Sequence, residues 1–212
     1  KIVNDPKKPF VAIVGGAKVS DKIKIIDMLL VSVDKLLIGG AMAYPFLKAS
    51  GYTIGNSLCT DEDVALARRI LGTPSKGKIV LPSDHIVSVT FGGAPEEVGQ
   101  VNIPEGKIGL DIGPSTLQNY SDYLANAKTV LWNGPMGLFE NANFAKGTLG
   151  IAKTLSTLKA FTLVGGGDSV SAVKMSGLSE KMSHISTGGG ASLEYIENGS
   201  LPGIQALKFG ID

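Results

Sequence analysis

Six apolar runs of strand length each stop at glycine or a Gly-Pro pair, and a helix-like segment follows: FVAIVGG ending at Gly16, KLLIGG at Gly40, IGLDIGP at Pro114, VLWNGP at Pro135, FTLVGGG at Gly167 and HISTGGG at Gly190. Apolar runs without in-and-out alternation suit strands buried on both faces, which predicts an α/β fold of three layers around a mostly parallel central sheet. Ligands of such sheets sit beyond the carboxyl ends of the strands. There a glycine lets phosphate approach the backbone, and the next helix offers unpaired N–H groups and its positive dipole end. The repeat therefore points to a nucleotide-binding sheet.

The 212 residues suit one sizeable core, read here as a single domain over 1–212. Lys plus Arg number 20 against 19 Asp plus Glu, so the chain has no broad field for nucleic acid or an anionic membrane. Any anion site must be local. A single cysteine, Cys59, excludes an internal disulfide framework, and no apolar stretch approaches the roughly 20 residues that span a bilayer. The expectation is a cytoplasmic monomer. The chain opens at Lys1 without an initiator Met, which reads as a cut rather than a native start.

Strands are expected over 10–15, 35–38, 108–112, 129–133, 161–164 and 184–186, with helices over 18–31, 41–49, 115–126, 142–157, 169–176 and 190–197, and another over DEDVALARRIL. Residues 72–107 contain the short runs KIVLP, HIVSV and VGQVNIP, which read as small, partly antiparallel strands or a flap.

Four segments carry chemistry. GGGDS at 165–169 places Asp168 at the start of a helix after three glycines. An Asp at an N-cap is worth about 1 kcal/mol for structural reasons alone, but three glycines exceed what a capped turn needs. A carboxylate beside free N–H groups suits Mg²⁺ bridging to phosphate oxygens. In GGAKVSDK, Lys18 and Lys22 are four apart in what reads as the first turns of a helix, where positive charge opposes the dipole by roughly 0.3–1 kcal/mol. A bound polyphosphate accounts for both. WNGPMGLFE supplies Asn133, suited to a phosphate or water, and Glu140, suited to ribose hydroxyls; STGGGAS at 186–192 gives a further anion-binding helix start.

Several features read as structural. GTPSKGKI at 72–79 falls one residue short of the P-loop pattern: Ile79 lacks the Mg²⁺-binding hydroxyl, and the segment runs from helix to strand. G-x-G-x-x-G is absent from every glycine end, which argues against a nicotinamide enzyme. His85, His184, Trp132 and Cys59 lack partners at catalytic or metal-ligand spacing.

In this order, GGAKVSDK, GGAMAY, DIGP, WNGPMGLFE, GGGDS and STGGGAS resemble the C-terminal, nucleotide-binding half of phosphoglycerate kinases, over nearly the whole chain. The resemblance implies a Rossmann-like lobe that binds MgATP or MgADP. It implies that Lys18 and Lys22 contact the phosphates, that Asp168 ligates Mg²⁺ through the nucleotide, and that Ser169, Gly166 and Gly167 hold the terminal phosphates. Asn133 would contact phosphate and Glu140 the ribose. Gly16, Gly39, Gly40, Leu58, Gly109, Leu110, Pro135, Gly137 and Leu138 would form the adenine slot, and Gly188, Gly189 and Gly190 would face the transferring phosphoryl group. The reaction implied is reversible transfer between 1,3-bisphosphoglycerate and ADP, giving 3-phosphoglycerate and ATP. The lobe that would bind the phosphoglycerate, with its basic cluster and catalytic arginine, has no counterpart here, and Arg68 and Arg69 lie on a helix away from the glycine ends. The chain alone is thus expected to bind nucleotide with little or no turnover. A non-catalytic nucleotide-binding or interaction module is the alternative.

Overall fold

The structure, a computed structural model, describes residues 6–186. Gly188, Gly189, Gly190 and the helix expected over 190–197 lie outside the described residues. In chain order the first half holds β1 (Phe10–Val14), α1 (Ile23–Ser32), β2 (Lys35–Ile38), α2 (Ala43–Ala49), α3 (Asp61–Leu71), β3 (Ile79–Val80), β4 (His85–Ser88) and β5 (Glu96–Val98). The second half holds β6 (Ile108–Ile112), α4 (Pro114–Ala125), β7 (Thr129–Asn133), α5 (Lys146–Thr157), β8 (Phe161–Gly165), α6 (Gly167–Met175) and β9 (His184–Ser186).

Six strands form one parallel sheet in the order β3-β2-β1-β7-β8-β9. The central strands β1 and β7 are buried at every residue, as their unbroken apolar runs require. On one face Val11, Ile13, Val130, Trp132 and Val164 pack with α4, α5 and α6. On the other, Phe10, Ala12, Val14, Leu36 and Ile38 pack with α1, α2 and α3. The three layers expected from the sequence are all present.

Local chemistry explains where the helices begin. Thr60 caps α3 by accepting from the Asp63 N–H at 3.1 Å, and acids in the first turn with Arg68 and Arg69 in the last complement the helix dipole. Helix α4 starts at Pro114 after a glycine that has no capping side chain. The buried carboxylate of Asp84 takes over, accepting from Ser115 N at 2.8 Å and Thr116 N at 2.7 Å. GTPSKGKI is a helical turn leading into β3.

One strand is not where the sequence pattern placed it. IGLDI (β6) belongs to a separate sheet of order β5-β4-β6, antiparallel throughout, so five of the six expected strands share the parallel sheet. A continuous apolar run reports burial on both faces, and the small sheet satisfies that too: Ile112 joins the core of α4 and α5, while Val87 and Val98 pack on Tyr44 and Leu47 of α2. Pairing of Asp111 with Ile86 and of Gly109 with Val87 leaves Leu110 as a bulge.

Candidate functional site

In-register pairing brings the carboxyl ends of the parallel strands flush: Val14 pairs with Ile38 and Asn133, Asn133 with Gly165, and Gly165 with Ser186. The loops leaving them are stitched together. Gly15 N donates to Asn133 O at 2.9 Å, Gly16 N to Pro135 O at 3.1 Å and Gly40 N to Met136 O at 3.0 Å. These glycines therefore do not offer free N–H groups to an anion. They allow loop backbones to touch, since a Cβ on Gly15 would stand 2.0 Å from Pro135 O.

Among the described residues, a row of free donors lies at α6. The N–H groups of Gly167, Asp168 and Ser169 have no acceptor among the described residues, as the first turn of a helix dictates. Gly166 turns the chain into that helix at φ +89°. Asp168 does not cap it; the N-cap position is Gly166, without a side-chain cap, and the Asp168 carboxylate is exposed in the first turn. Buried Ser169 accepts from Gly134 N through its hydroxyl.

Lys18 and Lys22 do not share a helix face. Lys18 lies exposed in the loop after Gly16, and Lys22 closes a short helical turn, Ser20–Lys22, immediately before α1. That turn is held by Ser20 N donating to buried Asp63 at 2.8 Å. The half-buried Lys22 reaches back over the sheet, its ammonium donating to Oδ1 of buried Asn133. Burial pushes its pKa down, opposed by the charge of Asp168 first and then Asp21. A Cβ on Gly166 would stand 3.2 Å from the same Asn133 amide, at Nδ2. Lys22, Asn133, Gly166 and Asp168 thus form one patch.

The residues expected in the base slot form an adjoining group. Gly109 N donates to Ser57 Oγ at 2.9 Å, beside exposed Leu58, and Leu138 N donates to the bulge carbonyl of Leu110 at 2.8 Å. Gly39 faces the thioether of Met136, and Gly40 lies against Gly16 and Pro135. Glu140 is exposed where this loop ends. Next to it Asn141 Nδ2 donates to Gly92 O at 3.1 Å, bringing the loop of exposed Phe91 to the same rim. Sequence reasoning did not single out Phe91, Tyr44 or Asp111. The last two are buried polar groups whose position depends on α2 and β6 meeting, which no local pattern encodes.

Buried His85 bonds Val101 O through Nε2 at 3.0 Å, Trp132 is in the core, and burial raises the Cys59 thiol pKa. Arg69 pairs with Asp27 at 2.8 Å. Among the described residues no helix is long and apolar enough to cross a membrane, and no three His, Cys, Asp or Glu side chains converge as a metal cage.

An open parallel sheet with a lysine, a helix start and an acid at its carboxyl edge defines the class: an α/β protein with its polar, charged loops gathered at the strand ends. The family model for phosphoglycerate kinase matches residues 1–199, and the chain belongs to that family. It is 54% identical over 210 residues to the phosphoglycerate kinase of Clostridium novyi (strain NT), covering 97% of this chain and 53% of that protein. With the enzyme of Lactiplantibacillus plantarum it shares 55% over 208 residues, 97% and 52% of the two chains. The solved phosphoglycerate kinase of Coxiella burnetii superposes with a TM-score of 0.89 at 38% identity, over 96% of this chain and 54% of that one. For Pyrococcus horikoshii the values are 0.82 and 30%, over 97% and 53%. The chain spans about half the length of the curated relatives it matches.

Proposed function

We propose that this chain is the nucleotide-binding half of a phosphoglycerate kinase, binding MgADP and MgATP at the strand ends and acting in the cytoplasm. The observation that carries the reading is the patch in which Lys22 bonds Asn133 and lies within the influence of the Asp168 charge, beside α6 N–H groups that have no acceptor among the described residues. A lysine forced into a half-buried position, its pKa lowered by burial, recovers favourable interactions when a phosphate arrives. Lys18 and Ser169 add a second cation and a hydroxyl. Asp168 would hold Mg²⁺, with phosphate and water as the other ligands, and Mg²⁺ when bound neutralises phosphate charge. Gly109, Leu110, Gly137 and Leu138 would take the base and Glu140 the ribose.

Phosphoryl transfer between 1,3-bisphosphoglycerate and ADP suits this residue set. The acceptor in the ATP-consuming direction is a carboxylate, already ionised at neutral pH, so the protein supplies alignment and charge rather than a general base. The phosphoglycerate and its arginine would belong to a second lobe, which gives the first prediction. A coupled assay on the 212-residue chain alone is expected to show negligible turnover; turnover near that of a two-lobed enzyme sinks this division of labour.

Calorimetry supplies the second. Wild-type chain is expected to bind ADP at least tenfold more tightly with Mg²⁺ than without, and Asp168→Ala to lose most of that gain, as expected when a charged ligand goes. An unchanged Mg²⁺ dependence in the variant removes Asp168 from the site.

A further inference from the structure

We propose that Asp111 is a positioning residue for the base slot: a buried carboxylate strut that joins β6 to the start of α5 and supports the loop between them, so that the grip on nucleotide follows the ionisation of this one group. Its Oδ2 accepts from Gly147 N at 2.8 Å and its Oδ1 from Ile112 N at 2.9 Å. Residues 136–138 hang between these same two elements. Met136 N donates to Thr148 Oγ1 of α5 at 2.9 Å, and Leu138 N to the Leu110 bulge at 2.8 Å. Gly137, midway, lies so close over the carboxylate that a Cβ there would stand 2.4 Å from Asp111 Oδ1.

The group is 1% exposed, and burial drives its pKa up to about 7 against the pull of its two N–H partners. Tyr44 on α2 lies near enough that its own pKa is raised by burial and by the Asp111 charge; on β4, the strand paired with β6, His85 is itself buried, and burial lowers its pKa. Lys146 at the start of α5 and Glu140 at the loop's end are exposed. As a carboxylate Asp111 accepts both amide bonds without conflict. Protonation turns one oxygen into a donor facing an N–H, which loosens either α5 or β6 and the loop with them.

The binding arm rests on the nucleotide reading above; the second arm does not. Dissociation constants for MgADP are measured from pH 5.5 to 8.5 for wild type and Asp111→Asn, and their ratio cancels the ligand's own titration. Wild type is expected to bind about tenfold more tightly at pH 8.5, with the advantage shrinking toward unity at pH 5.5. A ratio constant with pH overturns the proposal, because a merely structural group would give that. Trp132 provides the ligand-free arm: it is the single tryptophan, and its indole N–H donates to Gly134 O at 2.8 Å where the loop begins. Its fluorescence is expected to change with a midpoint near pH 7 in wild type and in His85→Gln, and not in Asp111→Asn. Loss of the step in His85→Gln, or its survival in Asp111→Asn, rejects the strut. If neither protein binds MgADP, the nucleotide reading fails and the fluorescence arm alone decides. If Asp111→Asn does not fold, Gly137→Ala, which lifts the loop off the carboxyl, must shift the midpoint by at least half a pH unit; an unmoved midpoint rejects the proposal.

Discussion

Gly15→Ala is expected to lower the thermal midpoint by roughly 6–12 °C, the consequence of about 3 kcal/mol of overpacking in a domain of this size. The added Cβ would meet Pro135 O at 2.0 Å, Met136 Cε at 2.7 Å and Gly134 O at 2.9 Å. Two of the three are backbone atoms, so no rotamer change relieves the clash. From the other side, Gly134→Ala meets Gly15 O at 2.1 Å and must also hold φ near +100°, so it should be at least as damaging. Calorimetric melting of both variants is the measurement. A shift under about 2 °C would mean that the loops after β1 and β7 are not pressed together as described.

Lys22→Ala should behave in the opposite way, leaving the fold intact while weakening MgADP binding by about 10- to 100-fold, the range for a charge-assisted contact. Its ammonium is partly stripped of water, and burial is the main effect on its pKa, so its removal relieves a desolvation cost that offsets the loss of its hydrogen bond to Asn133. The loss should be largest at low ionic strength. Lys22→Met, which keeps the apolar stem, should bind as poorly as Lys22→Ala. Retention of wild-type affinity by either variant would remove this lysine from the phosphate site.

Much of the architecture was legible because burial on two faces leaves a plain trace. FVAIV, LLI and VLW are unbroken apolar runs, and each lies in a strand of the parallel sheet. IGLDI carries the same trace and went elsewhere, since burial says nothing about which sheet covers a strand. The partnership of GGAKVSDK with WNGP and GGGDS could be drawn from their shared place after strands. Its geometry could not: Lys22 meets Asn133 because the chain makes a tight turn held by Asp63, 43 residues away along the sequence. Glycine carried a double meaning as well. Those after β1 and β2 let backbones meet, whereas Gly166 turns the chain into a helix start where Gly167 exposes a donor, and only three-dimensional neighbours separate the two uses.

The flush register of the parallel strands would give a bound chain of phosphates a compass. Five strand ends from β2 to β9 lie in one row, about 19 Å wide at roughly 4.8 Å per step. Lys22 rises from the β1 side of that row and Asp168 from the β8 side, so the edge runs from cation to anion. A symmetric anion could lie along it either way round. A metal-bearing end and a bare end could not be exchanged, and the asymmetry of the row would fix which end of the ligand faces outward.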